Sequence, residues 1–399
     1  MELTHIIEPK TIALFGISKS NPNNPANIIY HKNIHRHCTT IYGINPSGGE
    51  YHGSPIYRSI ADIPEPVDCA VFAIKAEYVP RAMHDCIRAG VKGGLVISGG
   101  FAEAGNQALQ DEIVAISRQH DFPIIGPNGL GVYSVPEINT FFFPDERFVK
   151  PLKGAIGLAS QSGGILVDLM IRFTHEQIGI SRALSIGNKA VVDEVEALRF
   201  FRDDERTSVI GIYFEGLAEG RGRVFIDEIK KTSKPVVLFK TGKTPASQKA
   251  ISSHTASMAG DYKVFNEVIK QTEALEVESE PRFLTACEAL VCYGKRKIDT
   301  AAIITMSGGH GVIASDFCYQ QGIHVPSFQE ADVQKLKTGV SKNIQNIASF
   351  MNPIDLTGSA VDDDYLACTR FALEHDDVDS VLLLFLPFIP AITSALPPQ

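Results

Sequence analysis

Short runs of β-branched and aliphatic residues alternate along this chain with longer stretches whose apolar positions recur at helical spacing. That alternation predicts parallel sheets wrapped by helices, because parallel strands need a crossover of a dozen or more residues between them. In the first third, the apolar runs predict strands at 11–15, 39–44, 68–74, 94–97 and 122–125, with helical stretches at 80–89 and 107–119. A second series predicts strands at 155–159, 181–186, 208–214, 235–239 and 274–277. A third opens at 301–306 and holds only about three strands, the last at 381–386. The expected fold is α/β, with three doubly wound units over 1–140, 151–294 and 298–399. Such units ordinarily carry more strands than the third supplies, so it is expected to be incomplete or completed by another chain. Phe141-Phe142-Phe143-Pro144 to Pro151 reads as a linker, and Lys295-Arg296-Lys297 as a short basic joint.

The strand ends carry the chemistry. Four turns of the first unit are polar or glycine-rich: Gly16-Ile17-Ser18, Asn45-Pro46-Ser47-Gly48-Gly49, Ser98-Gly99-Gly100 and Gly126-Pro127-Asn128-Gly129. Ligands of doubly wound sheets bind outside the carboxyl ends of strands, so four such turns predict one cleft. In the second unit, Ser160-Gln161-Ser162-Gly163-Gly164 joins a strand to a helix. Ser162 suits an N-cap, and Gly163 and Gly164 expose amides that with the helix dipole stabilise an anion by roughly 0.3–1 kcal/mol. The same residues also suit an ordinary capped helix after a tight turn. Thr305-Met306-Ser307-Gly308-Gly309-His310-Gly311 repeats the design, placing Gly308, Gly309 and Gly311 as a second phosphate candidate. Gly309-His310-Gly311-Val312-Ile313-Ala314 also fits G-x-G-x-x-A, but Glu330, near the required acidic spacing, falls in a polar stretch. Phosphate binding without a dinucleotide is preferred. Thr241-Gly242-Lys243-Thr244 resembles the end of a Walker A loop, yet position 237 is Val where that loop needs Gly.

His254 lies in Ala250-Ile251-Ser252-Ser253-His254-Thr255-Ala256-Ser257-Met258-Ala259-Gly260. Small and hydroxylic neighbours leave an imidazole approachable, the setting expected of a histidine that becomes phosphorylated. Glu215 follows the apolar run 208–214 directly. A carboxylate at a strand's carboxyl end can accept from an imidazole N–H, fixing the tautomer that leaves the other nitrogen free to attack. Taken singly, a solvated loop histidine and a surface glutamate are equally compatible with those two positions.

Composition narrows the partners. The 399 residues carry a formal net charge of -9 and no Lys/Arg block, which argues against nucleic acid. Helix starts and glycine turns bind phosphate without net positive charge, so a small anion is allowed. The seven cysteines contain no C-x-x-C and suit reduced thiols in a cytoplasmic protein. The N-terminus lacks a basic segment followed by an apolar one, and the apolar run 381–392 is interrupted by Pro387 and Pro390, so neither a signal peptide nor a membrane span is expected. No metal-spaced His/Cys cluster occurs, and His31, His35 and His37 read as a solvated helix face.

A set of motifs then aligns along nearly the whole chain. They are Gly43-Ile44-Asn45-Pro46, Ile97-Ser98-Gly99-Gly100-Phe101-Ala102-Glu103, Gly126-Pro127-Asn128, Ser160-Gln161-Ser162-Gly163, Ser185-Ile186-Gly187-Asn188-Lys189-Ala190, Glu215-Gly216, Ser253-His254-Thr255 and Asn352-Pro353-Ile354-Asp355-Leu356. With them the chain resembles the α-type portion of nucleoside-diphosphate-forming acyl-CoA synthetases. The resemblance implies a Rossmann-like CoA-binding domain over 1–140, a flavodoxin-like ligase domain with the phosphohistidine loop over 151–294, and a second, incomplete one over 298–399. It implies a coenzyme A cleft at Gly16, Ser18, Asn45, Pro46, Ile74, Ser98, Gly99 and Asn128. His254 becomes the phosphoryl carrier and Glu215 its partner, with phosphate held at Ser162, Gly163 and Gly164 or at Gly308, Gly309 and Gly311.

The implied activity is reversible, ADP-forming joining of a small carboxylic acid to CoA through an acyl phosphate. No ATP-grasp region is found, so ATP or ADP and Mg are expected to bind a β subunit or fused domain, within a hetero- or homo-oligomer. Gly129, Lys75 and Ala256 stand where the family usually has Cys, Pro and Gly, which leaves the acid unassigned. A non-ligase CoA-binding scaffold, or the regulatory half of a protein acetyltransferase, is the alternative from another class. A nicotinamide-dependent dehydrogenase on the Gly309 fingerprint is a third.

Overall fold

The computed structural model describes residues 1–144, 146–255, 262–386, 389 and 391–393. The chain divides into two compact units, Met1–Lys295 and Arg296–Gln399.

Two seven-stranded sheets build the first unit. In the first, Thr11–Phe15 is buried along its whole length between Thr40–Ile44 and Cys69–Phe72, both parallel to it, with Ala13 opposite Tyr42 and Ala70. Gly93–Val96 and Ile124–Ile125 extend the sheet in parallel beyond Cys69–Phe72. Helices Pro25–Asn33, Val79–Arg88 and Gln107–His120 make the crossovers. These strands lie within a residue or two of the apolar runs that predict them. On the other side Ser54–Tyr57 pairs with Thr40–Ile44 and folds back onto Gly49–Tyr51. His52 and Gly53, at its turn, both have positive φ, which suits a tight hairpin.

The second sheet runs, edge to edge, Leu275–Val277, Val236–Lys240, Val209–Phe214, Lys153–Ser160, Ile180–Ser185, Gly131–Ser134, Ile138–Asn139. The first five are parallel, and the last two add antiparallel. Counted in chain order, the parallel strands stand 5-4-3-1-2. The order therefore reverses between Lys153–Ser160 and Val209–Phe214, where an open α/β sheet leaves a crevice for ligand. The segment read as a linker is tied into this core. Phe141 is 0% exposed, Phe148 is buried with it, and Phe143 stacks on Phe148. An aromatic run is too apolar to cross open solvent, and here it fills the space under the second sheet.

Arg182, in Ile180–Ser185, is 1% exposed and pairs with Asp204 at 3.1 Å and with Glu8, tying the amino-terminal segment to the second sheet.

The second unit holds a three-stranded parallel sheet, with Ala301–Thr305 between Ile354–Asp355 and Ser380–Leu384. Asn352 binds three backbone groups at once: it accepts from Ile303 N and donates to the carbonyls of Ala301 and Pro326, at 2.9–3.0 Å. Among the described residues no helix is long and apolar enough to cross a membrane.

Candidate functional site

Every residue expected of the first cleft lies at or just beyond a strand's carboxyl end. Gly16 follows Thr11–Phe15 with φ +110°, and a Cβ there would stand 2.2 Å from the carbonyl oxygen of Ala73. Only glycine permits that approach, and the approach is at the reversal between Thr11–Phe15 and Cys69–Phe72. Ser18 and Asn27 exchange two hydrogen bonds at 2.8 Å, and Asn45 donates to the Ile17 carbonyl at 2.7 Å. Pro46 follows on the exposed rim, half-buried Ile74 accepts from the Ser98 hydroxyl, and Asn128 N donates to Ser98 O at 2.9 Å. A Cβ on Gly99 would sit 3.1 Å from Glu103 and 3.2 Å from Asn128. The four turns thus form one glycine-lined, connected wall.

Glu103 links this wall to the second sheet. It accepts from the amides of Gly100 at 2.5 Å and Phe101 at 3.2 Å, and from Asn188 Nδ2 at 2.5 Å. Burial raises the Glu103 pKa, but the hydrogen bonds from Asn188 and Gly100 outweigh it and leave the carboxyl below its usual range. Backbone bonds join the same turns: Asn188 N to Pro127 O at 2.8 Å and Ala190 N to Gly126 O at 3.1 Å. Gly187 is required there, since a Cβ would lie 2.2 Å from the Pro127 carbonyl oxygen.

The second sheet's reversal point presents the second group. Helix Gly163–His175 starts there, with Ser162 Oγ accepting from Ile165 N at 3.4 Å. The amides of Gly163 and Gly164 have no intrahelical partner at such a start, and a Cβ on Gly164 would meet open space but for Ser162 Oγ. Across the crevice, Gln161 holds Glu215 from both sides. Its Oε1 accepts from Glu215 N at 3.0 Å, and its Nε2 donates to Glu215 Oε2 at 3.4 Å. Ser162, Gly163, Gly164 and Glu215 are therefore brought together.

His254 falls in helix Pro245–Thr255, and its side chain lies outside the described residues. The helix itself is well placed. Ile251, one turn before His254, is buried with its Cδ1 2.5 Å from where a Cβ on Gly242 would be, and Gly242 abuts the Glu215 carbonyl. The same helix packs beside the one-turn helix Ala102–Ala104 of the first cleft. The helix that bears His254 therefore packs on Gly242, next to the Glu215 carbonyl, and beside Ala102–Ala104, which follows the Ser98-Gly99-Gly100 turn.

In the second unit, Ser307 precedes helix Gly308–Gln320 but makes no side-chain cap. Gly308 faces Asp355, whose Oδ2 would be 3.0 Å from a Cβ, and Gly311 packs on Pro353; a Cβ on Gly309 would meet Ser307 Oγ at 4.0 Å. Glu330 opens helix Glu330–Gly339 instead of closing a strand, so the dinucleotide fingerprint lacks its acidic partner.

Some functional neighbours escape the sequence reading. Gln161, Glu103 and Asn188 fall within the quoted motifs, but the hydrogen bonds they make become visible only where the two sheets meet. Lys189 and Lys240 are buried, against the habit of lysine. A cavity of about 540 Å³ lies elsewhere, around Arg182, Arg206 and Asp204, where Arg182 pairs with Asp204 and Arg206 with Glu137.

The comparisons follow the same division. Residues 10–134 match a CoA binding domain, and 153–290 match a succinyl-CoA ligase like flavodoxin domain. An ADP-forming acetate–CoA ligase I of Archaeoglobus fulgidus is 34% identical over 389 residues, covering 96% of this chain and 55% of its own length. The α subunit of ADP-forming acetate–CoA ligase I from Pyrococcus furiosus is 33% identical over 396 residues, covering 96% of this chain and 83% of its own. The chain thus spans about half of the first relative and most of the second. The solved dinucleotide-forming acetyl-coenzyme A synthetase 1 of Ca. Korarchaeum cryptofilum, in complex with phosphate and ADP, superposes with TM-score 0.88 at 35% identity, over 96% of this chain and 82% of that one. The chain therefore belongs to the nucleoside-diphosphate-forming acyl-CoA synthetases, alongside the ADP-forming acetate–CoA ligases.

Proposed function

We propose that this chain is the CoA-binding and phosphohistidine-carrying component of an ADP-forming acyl-CoA synthetase. One observation carries the reading: the helix bearing His254 packs on Gly242, which abuts the Glu215 carbonyl, and lies beside Ala102–Ala104, which follows the Ser98-Gly99-Gly100 turn of the first cleft. Residues 1–140 hold CoA through Gly16, Ser18, Asn45, Pro46, Ile74, Ser98, Gly99 and Asn128. Residues 151–294 carry the phosphoryl chemistry, and 298–399 form a second ligase-like domain with a phosphate turn at Gly308, Gly309 and Gly311. Gly16 and Gly99 support the first assignment, because a Cβ at either would press on the residues that close the wall, Ala73 at Gly16 and Glu103 and Asn128 at Gly99.

In the direction of ATP synthesis, phosphate displaces CoA from an acyl-CoA, giving an acyl phosphate and the free thiol. A nitrogen of His254 attacks the phosphorus, the bond to the acyl oxygen breaks, and the carboxylate leaves. The phosphoryl group then passes to ADP, restoring neutral histidine. Glu215 accepts the opposite imidazole N–H and balances the charge that develops on the ring. The amides of Gly163 and Gly164 face the phosphoryl oxygens. ATP or ADP and Mg bind an ATP-grasp subunit or fused domain, and the assembly is cytoplasmic and oligomeric. The acid is a small carboxylate, with a monocarboxylate favoured.

The test is acyl-CoA formation from ATP, CoA and a carboxylate, with and without an ATP-grasp partner. The chain alone should be inactive, the reconstituted complex active, and the complex with His254→Ala inactive. Full turnover by the chain alone overturns the division of labour. A complex that binds CoA but never forms acyl-CoA favours the non-ligase scaffold.

A further inference from the structure

The Glu215–Gly216 turn is held from beneath by two buried lysines on different elements. Lys240 ends the strand Val236–Lys240 and is 3% exposed. Its Nζ donates to the carbonyls of Glu215 and Thr241, each at 2.5 Å, and lies 5.7 Å from the Phe214 ring centre. Lys189 stands in the turn after Ile180–Ser185, with φ +48°. Its Nζ donates to the Gly216 carbonyl and pairs with Glu194 Oε1 at 2.7 Å. Glu194 is fully buried, and its Oε2 has no hydrogen-bond partner among the described residues.

Burying an ammonium is expensive unless it is paired. Lys189 has Glu194. Lys240 makes both of its hydrogen bonds to carbonyls, which are weaker partners than a carboxylate. The charged groups around it are Lys189, Glu276, Lys243 and Glu215, two of each sign. The yield of this arrangement is geometric. Gln161 fixes the Glu215 N–H, Lys240 its carbonyl, and Lys189 the carbonyl of the next residue. Three of the four backbone polar groups of Glu215 and Gly216 are thereby anchored by three different elements, and the Glu215 side chain springs from between the first two.

We propose that Lys240 and Lys189 are positioning residues, a double ammonium clamp that fixes the backbone from which Glu215 meets the phosphoryl-carrying histidine. The proposal rests on the roles given above to His254 and Glu215. A shift of about 1 Å in a catalytic group can lower a rate about 100-fold, so loss of an anchor should be read in the transfer step. Neither lysine touches substrate in this account.

The experiment is a double-mutant cycle on the full chain, with radiolabelled acetyl phosphate as the phosphoryl donor. Initial labelling rates are compared for wild type, Lys240→Met, Glu215→Gln and the pair, with His254→Ala as control. CoA-induced thermal shifts are measured on every variant. Lys240→Met should label about 10-fold slower or worse, keep its CoA-induced shift, and add nothing to Glu215→Gln, because both act through one carboxylate. Lys189→Met should behave in the same way, and it replaces Lys240→Met in the cycle if that variant lacks a cooperative melt. Wild-type rates in both lysine variants, or losses that multiply with Glu215→Gln, overturn the clamp. Labelling that survives His254→Ala, or is absent from the wild type, overturns the reading beneath it instead.

Discussion

Glu215→Gln changes charge at nearly constant shape, which isolates the electrostatic part of the proposed mechanism. The structure shows why the variant should fold. Gln161 Oε1 accepts from the backbone N–H of Glu215 at 3.0 Å, a bond the substitution does not touch. Gln161 Nε2 reaches Glu215 Oε2 at 3.4 Å, and an amide oxygen can accept in its place. The carbonyl remains bound by Lys240 at 2.5 Å. What disappears is the negative charge that the proposed mechanism sets opposite the His254 imidazole. A hydrogen bond to a charged group contributes about 1.5–3 kcal/mol net. If that difference is expressed in the transition state, phosphoryl transfer should slow roughly 10- to 100-fold. The assay is a single-turnover measurement of label reaching the chain, run beside CoA-induced thermal stabilisation, which should stay at the wild-type value. Equal transfer rates in Glu215→Gln and wild type would refute the reasoning and leave Glu215 a structural residue.

Three further outcomes follow from particular contacts. Gly16→Ala forces a Cβ to within 2.2 Å of the Ala73 carbonyl at φ +110°, so the strands must part there; CoA should no longer raise the melting temperature, and a normal CoA shift contradicts the cleft. Arg182→Met leaves the buried Asp204 carboxylate without its ion pair, a loss of about 3 kcal/mol; for a unit of this size calorimetry should find the melting temperature lower by about 5 °C, and an unchanged value contradicts this account of the pair. Burial holds Lys240 at about 8, below the usual 10.5. The unfolded chain keeps that proton between those values while the folded one releases it, so this group's contribution to stability is complete above about 10.5 and lost as pH falls through 8. Denaturation of Lys240→Met against wild type should show the difference between them changing across that window, and parallel pH profiles would contradict it.

Much of this was legible in the sequence where burial is continuous. The strands Thr11–Phe15 and Val209–Phe214 are buried along their whole length and, Thr11 apart, lack polar side chains that would interrupt the run, so their composition needs no tertiary information to be read. The hairpin Gly49–Tyr51 and Ser54–Tyr57, and the antiparallel pair Gly131–Ser134 and Ile138–Asn139, were not legible. They are two to four residues long, and only pairing with a sheet edge makes them strands. The glycine turns were readable because glycine at a strand end has few other uses, and Gly16 and Gly187 show the close approaches that require it. The anchors were hidden for the opposite reason. Lys189, although part of a quoted motif, and Lys240 belong to a residue type that composition assigns to the surface, and only the meeting of strand ends reveals what they hold. In the stretch 141–151 the prolines Pro144 and Pro151 resemble a linker, whereas Phe141 and Phe148 are buried in the core and Phe142 and Phe143 pack against it, partly exposed.

The most direct test is the location of the phosphoryl group. The chain is incubated with γ-labelled ATP and an ATP-grasp partner, digested, and the labelled peptide mapped by mass spectrometry. The account predicts an acid-labile, base-stable label on the peptide that contains His254, absent from His254→Ala and discharged by a carboxylate together with CoA. An acid-stable label on serine or threonine, or a label that persists in His254→Ala, would contradict it.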